Sequence, residues 1–238
     1  MLTGVVLAHN EAQNLPRCLE SLKFCDQIIV VDDGSTDDTV KIAKELGTQV
    51  LEHSLGDDYC AQRNWALSKV KSAWVLFVDA DEVVSDELAE EITQALQHVE
   101  CQGFLLHRVD YLWGKELKHG DVGGVYLLRL GRRGGGQWVG RVHERWHIEG
   151  RISQLKQPLL HYPHPDMAAF LRQINSYSTI RAQELFDAGS RASILQIIIY
   201  PVFKFLWLWI WKLGCLDGTA GFIHAMTMAF YSFLVRGK

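Results

Sequence analysis

The sequence predicts an α/β fold with a mostly parallel sheet flanked by helices and a separate apolar tail. Three observations predict it. Short β-rich apolar runs alternate with stretches of helical period through about residue 110, acidic clusters follow directly on two of those runs, and the chain turns markedly apolar beyond residue 190. Alternating strands and helices give a parallel sheet because each connection crosses back over a sheet face.

The runs lie at residues 4–8, 28–32, 49–52, 74–79 and 104–107. Between them Leu15, Cys18, Leu19 and Leu22 repeat at i, i+3, i+4, as do Val40, Ala43 and Leu46, so each crossover is expected to bury one helical face. Over residues 111–151 the texture changes. Glycines crowd residues 131–140 and arginines stand at 129, 132, 133, 141, 145 and 151, a composition for loops and short strands. Residues 167–185 return to helical period, and a boundary is expected near residue 190.

A length of 238 residues with 48% hydrophobic content supports a sizeable core and argues against disorder. The net charge of -4 gives no general attraction to nucleic acid. Five scattered cysteines, with no CxxC pair, fit a reduced cytosolic setting. Met1, Leu2 and Thr3 lead into an apolar run with no basic region and no small-residue cleavage site, so secretion is not expected.

The chemistry gathers at run ends. Asp32 and Asp33, then Gly34 to Ser35, Thr36, Asp37, Asp38 and Thr39, follow the second run; Asp79, Ala80, Asp81 and Glu82 end the fourth; Ala8, His9, Asn10 and Glu11 end the first. In a parallel sheet these are carboxyl ends facing one crevice, where open α/β folds bind ligands. Carboxylates there repel one another unless they hold a hard divalent cation that also binds phosphate. The alternative for Asp33 and Asp37 is capping of the next helix. Arg63, beside Asn64 at a helix start, is either a structural ion pair or a fork for a diphosphate.

In order and spacing, Asn10-Glu11, Asp32-Asp33-Gly34-Ser35, Arg63-Asn64 and Asp79-Ala80-Asp81-Glu82 resemble the family 2 glycosyltransferases of the GT-A nucleotide-diphospho-sugar transferase fold. The resemblance implies a nucleotide-sugar donor bound by Ala8, Asn10, Glu11, Asp33, Arg63, Asp79 and Ala80. It also implies Mg or Mn held by Asp81 and Asp79, acting as a Lewis acid on the leaving diphosphate. Asp33 would contact the base, and Ala8 and Glu11 would border base and ribose. A base must also take the proton of the acceptor hydroxyl. The segment Gly140-Arg141-Val142-His143-Glu144, where relatives often carry Glu-Asp, supplies Glu144 as the preferred base and His143 as either a second candidate or a late metal ligand. His161 is either a further ligand or a core histidine, and the arginines near Gly134 either hold a phosphorylated acceptor or line a solvated loop.

Residues 194–213 hold three consecutive isoleucines and Trp207, Trp209 and Trp211, interrupted by Gln196, Pro201, Lys204 and Lys212; a second apolar stretch covers 222–235 and ends in Arg236-Gly237-Lys238. About twenty apolar residues span a bilayer, and a mid-span lysine opposes crossing. The expectation is a pair of interfacial helices, against a dimer surface or core helices. Asn175, Tyr177, Ser178, Arg181, Ala182 and Leu216-Asp217-Gly218-x-x-Gly221 extend the resemblance to the lipopolysaccharide core glucosyltransferases of the KdtX type. That likeness implies inverting transfer of a hexose, glucose first, from a UDP-sugar to a lipid-anchored inner-core acceptor. It implies a site on the inner face of the cytoplasmic membrane, peripheral or monotopic. On this reading residues 1–190 are the transferase domain, with 1–110 its nucleotide-binding half and 111–190 its acceptor half, and 191–238 are membrane-associating. The rival functions are sugar transfer to polyprenyl phosphate and a non-catalytic nucleotide-binding scaffold.

Overall fold

All five runs are strands: β1 (Leu2–Ala8), β2 (Gln27–Asp32), β3 (Gln49–Glu52), β4 (Trp74–Asp79) and β6 (Cys101–Leu112). Between them lie α1 (Leu15–Ser21), α2 (Thr39–Glu45), α3 (Tyr59–Lys69), the short β5 (Glu82–Val84) and α4 (Asp86–Ala95). The arginine- and glycine-rich stretch forms β7 (Lys115–Leu117), β8 (Val125–Arg132), β9 (Gly136–Val139), β10 (Arg145–Ile148) and β11 (Arg151–His161). The helices α5 (Met167–Asp187), α6 (Ile194–Leu206) and α7 (Gly218–Gly237) follow. This computed structural model describes every residue except 55, 57, 98, 99, 141–143, 164 and 165.

The chain divides into two compact units, Met1–Arg108 with Tyr126–His161, and Val109–Val125 with Tyr162–Lys238. In the first, the sheet runs β3-β2-β1-β4-β8-β6-β11-β5. β1 to β4 are mutually parallel, whereas β8 joins β4 antiparallel and β5 joins β11 antiparallel, which makes the sheet mixed. Successive strand residues face opposite sides. Leu2, Val6, Val30, Leu76 and Val78 therefore pack on one face with Leu15, Cys18 and Leu19 of α1 and Leu88 and Ile92 of α4. Val5, Ile29, Val31, Val75 and Phe77 pack on the other with Ala66 and Leu67 of α3 and with Trp138 and Trp146 of the β9-β10 ribbon. The α1 periodicity held, with Leu15, Cys18, Leu19 and Leu22 all buried. The α2 periodicity held only in part: Leu46 is 46% exposed because the helix ends before it and leaves it as the cap.

In the second unit β7 folds back on the far end of β6 and α7 packs along α5, with Leu112, Leu117, Phe170, Ile174 and Ala220 in one cluster. α6 continues into a π-helical turn, Trp207–Trp211, and a 3-10 turn, Gly214–Asp217, before reversing into α7. A Cβ at Gly221 would lie 2.1 Å from the Gly214 carbonyl oxygen, so the second glycine of the Leu216-Asp217-Gly218-x-x-Gly221 pattern is what lets this hairpin close. Ile194–Trp211 and Gly214–Gly237 are both long and apolar enough to cross a membrane, with mean hydropathy 1.7 and 1.3.

Candidate active site

The strand order 3-2-1-4 reverses direction between β1 and β4, which opens a crevice at their carboxyl ends. Registers Ala8↔Asp32 and Leu7↔Asp79 bring the three polar strand ends level with one another. Asn10 takes a left-handed φ of 56°, tolerable for asparagine, and its Oδ1 accepts from the Thr36 backbone at 2.8 Å while its own N–H donates to Ser35 Oγ at 2.9 Å. Gly34, φ 69°, makes the turn that presents Ser35. His9 Nδ1 lies 2.7 Å from the Asp33 carbonyl oxygen, Thr39 Oγ1 accepts from Glu11 N–H at 2.8 Å, and Asp37 accepts from Thr39 and Ala12. Ala8 and Ala80 are buried in the core cluster.

At the tips lies a network of charges built on the buried Arg63, Arg129 and Glu82. Arg63, 2% exposed, donates from Nη2 to Asp79 Oδ1 at 2.7 Å and from Nε to Glu144 Oε1 at 3.1 Å. Arg129, 7% exposed on β8, donates to Asp79 Oδ2 at 2.6 Å and stands 3.9 Å from Glu82 Oε1. Asp79 is thus gripped on both oxygens. Burial alone would raise its pKa, but the charges of Arg129 and Arg63 outweigh that and hold the carboxyl well below the usual range. Glu82, fully buried, goes the other way: burial and the Asp79 charge push it up despite Arg129, and its Oε2 accepts the Asp79 N–H at 2.9 Å. Arg63 Nη1 and Arg129 Nη1 are buried without a hydrogen-bond partner among the described residues. The neighbouring Asn64 has a structural task. Its amide donates to and accepts from the backbone of Trp138, at 2.9 and 2.8 Å, which locks β9 onto α3.

Asp81 carries its carboxylate 3.4 Å from His161 Nε2 at the end of β11. Glu11 faces the same charges: burial first, then Asp81, Asp37 and Asp79, push its pKa up to about 7 against a hydrogen bond from Asn14. Among the described residues no cluster of three or more His, Cys, Asp or Glu side chains forms a complete metal site. Because Asp79 is committed to two arginines, Asp81 is the described strand-tip carboxylate left to reach a cation, with His161 Nε2 3.4 Å from it. The carboxylate suits Mg or Mn, hard ions that commonly complete their shells with water and substrate phosphates, whereas an imidazole is the softer donor.

A cleft of about 530 Å³ opens beside the tips of β2 and β3, lined by Asp32, Asp33, Gly34, Ser35, Glu52 and His53 among others. The His53 ring stacks on Trp65 at 4.0 Å, and its Nδ1 is buried without a partner among the described residues. Sequence reasoning missed Glu52, His53 and Arg129. Arg129 stood in a run of arginines assigned either to a phosphorylated acceptor or to a solvated loop, and only the β4-β8 pairing Leu76↔Leu130 turns it inward. Glu144 joins the cluster through Arg63. The other base candidate, His143, lies outside the described residues.

The profile of glycosyl transferase family 2 matches residues 4–177. The lipopolysaccharide core biosynthesis glycosyltransferase LpsC of Rhizobium meliloti (strain 1021) is 31% identical over the whole of this chain and 91% of its own length. An uncharacterized glycosyltransferase of Rickettsia prowazekii (strain Madrid E), RP128, is 28% identical over the whole chain and 86% of its own length. S. aureus TarS 1–349 in complex with UDP-GlcNAc shares the fold at TM-score 0.51 and 14% identity, covering 98% of this chain and 81% of that one. With the acidic strand tips in one crevice and a family profile spanning most of its length, the chain is a member of glycosyl transferase family 2.

Proposed function

We propose that the chain transfers a hexose, glucose first among candidates, from a UDP-sugar to a lipid-anchored saccharide of the lipopolysaccharide inner core, with inversion. The observation that carries this reading is the convergence of Asp79, Glu144, Arg63 and Arg129 in one network, with Asp81 and His161 at the same strand ends. The cleft beside β2 and β3 takes the nucleoside, with Asp33 hydrogen-bonding the base and Glu11 bordering the ribose. The uncommitted N–H groups of Arg63 and Arg129 answer the charge of the diphosphate. Asp81 with His161 would hold Mg or Mn, which when bound offsets the charge gathering on the leaving diphosphate.

Glu144 accepts the proton of the attacking acceptor hydroxyl, and Arg63 Nε fixes its carboxylate in place. His143 is the alternative base. A single displacement from the face opposite the leaving group inverts the anomeric centre. The lipopolysaccharide acceptor is carried over from LpsC, and the UDP donor draws on the TarS complex and on the acidic strand-end motifs. Residues 191–238, with two apolar helices and a basic end, are the membrane-associating segment that brings the transferase domain, residues 1–190, to a lipid-linked acceptor at the inner face of the cytoplasmic membrane.

The same helices suit a polyprenyl phosphate acceptor, so the test separates the two. Purified protein with Mg or Mn is incubated with radiolabelled UDP-hexoses and either truncated lipopolysaccharide or polyprenyl phosphate. Label entering the lipopolysaccharide is expected. Label in the polyprenyl fraction alone would replace the acceptor, and no transfer with any donor would remove the enzymatic reading.

A further inference from the structure

The transfer reaction leaves the α6-α7 hairpin without a chemical task, and its packing is lopsided. Of the eighteen residues 194–211 only 6% are buried, against 44% of an eighteen-residue apolar window within Gly214–Gly237, which packs along α5. Ile194, Leu195, Ile198, Val202 and Phe203 are each 57–78% exposed, an apolar face far beyond what scattered surface side chains account for. Pro201 withdraws one backbone donor from the middle of α6. Between the helices runs a groove of about 410 Å³ walled by apolar side chains, among them Ile198, Pro201, Val202, Phe205, Met226 and Phe233. The π-helical turn stacks Trp207 on Phe203 and on Trp211, each at 5.9 Å, in a short aromatic row.

Charge identifies what covers this face. Residues 191–238 carry Arg191, Lys204, Lys212, Arg236 and Lys238 against the single acid Asp217, in a chain whose net charge is -4, and of these Lys204 is paired with Asp121 outside the segment. That acid is 4% exposed and already paired with His119. An apolar face with a basic and tryptophan-rich border fits an anionic lipid surface.

The hairpin is also tied down at both ends and in the middle, all within the second unit. At the turn, Asp217 accepts from the backbones of Lys118 and His119, at 3.1 and 2.9 Å, and pairs with His119 Nδ1 at 2.8 Å. Gly120 N–H donates to the Lys212 carbonyl at 3.0 Å. Halfway along, Asp121 pairs with Lys204 at 2.9 Å and His224 at 2.8 Å. At the open end, Lys238 Nζ donates to Asn175, Ser178 and Thr179 at 2.6–3.0 Å. A crossing would set the two ends about 30 Å apart on opposite sides of a hydrocarbon layer. It would draw the polar segment 118–121 into or through that layer, or leave Asp217 and Asp121 without partners.

Resting on the membrane-associated reading above, we infer that the α6-α7 hairpin lies within one anionic phospholipid leaflet without crossing the bilayer, its groove taking a lipid acyl chain. Cys215, exposed at the turn, reports on this directly. The full chain is expressed in a Gram-negative host and spheroplasts are treated with a membrane-impermeant maleimide, with Cys215→Ser as the control. The expected result is protein in the membrane fraction, no Cys215 labelling in intact spheroplasts, and labelling after detergent. Cys215 labelled from outside overturns the inference and leaves membrane binding intact. Protein that stays soluble and fails to float with phosphatidylglycerol-containing vesicles overturns the membrane reading itself. Lys212→Glu is expected to weaken flotation on phosphatidylglycerol vesicles about tenfold, since each basic residue near such a surface contributes a few-fold in affinity, and Val202→Asp to abolish it. Unchanged flotation of both variants contradicts the proposed face.

Discussion

Replacing Arg129 with Met removes one of the two cations that grip Asp79. The lost contact is a 2.6 Å ion pair from a guanidinium 8% exposed, and it also strips the fully buried Glu82 of its nearest cation at 3.9 Å. Breaking one partner out of a buried pair costs about 3–5 kcal/mol. Arg63 stays on Asp79 Oδ1, and the Asp79 side chain is 31% exposed, so the lower end applies, about 3 kcal/mol. For a chain of this size that is a fall in Tm of about 6–12 °C. The loss carries a pH signature. Without Arg129 the pKa values of Asp79 and Glu82 rise in the folded state, so the folded form binds protons more tightly. The deficit should therefore be largest at pH 8 and shrink toward pH 5. Differential scanning fluorimetry of Arg129→Met and of Arg129→Met/Glu82→Gln across that range measures it, and the second change should recover part of the loss. A Tm within 2 °C of wild type, or a deficit of equal size at pH 5 and pH 8, would refute the reasoning.

Glu11 provides a pH test of opposite design. Its folded pKa of about 7, against an ordinary 4.5, gives stability that is present below 4.5 and lost as pH rises through 7. Glu11→Gln should thus melt higher than wild type at pH 8, in chelator, and no higher at pH 4.5; equal differences at both values contradict this. Glu144→Gln is expected to lower kcat by a factor of about 10²–10⁴ with nucleotide affinity retained, measured by turnover and calorimetry, and undiminished turnover moves the base to His143 or elsewhere. His161→Ala should lose most of the metal stimulation of transfer while keeping its circular dichroism spectrum, whereas a metal response equal to wild type would leave His161 as a packing residue.

Much of this was legible because each acidic cluster directly follows an apolar run, so the strand and its polar tip are written in adjacent residues. Asp32-Asp33 after β2 and Asp79 to Glu82 after β4 needed only the βαβ pattern to place them at one edge. Arg129 was not legible because its environment depends on an antiparallel partner some fifty residues away, and local spacing cannot distinguish it from the exposed Arg133 nearby. The direct Asp81-His161 contact was hidden for the same reason, as β11 reaches that edge only through long-range pairing. The tail exposes a different limit. α6 and α7 are both largely apolar, yet α6 has no buried residue whereas α7 is partly buried against α6 and α5, because apolar composition reads alike for lipid and for core. A truncation near residue 190 would accordingly strip α5 of Ala220 and its neighbours as well as remove the apolar face.

The strand-tip acids and buried arginines are held to converge on a nucleoside diphosphate and its cation. Calorimetric titration of UDP into wild type and Asp81→Asn, each with Mn and with chelator, tests this most directly. Wild type should bind UDP more tightly with Mn than without, and Asp81→Asn should lose that enhancement while still folding. Absence of UDP binding to wild type, or a full Mn enhancement in Asp81→Asn, would contradict it.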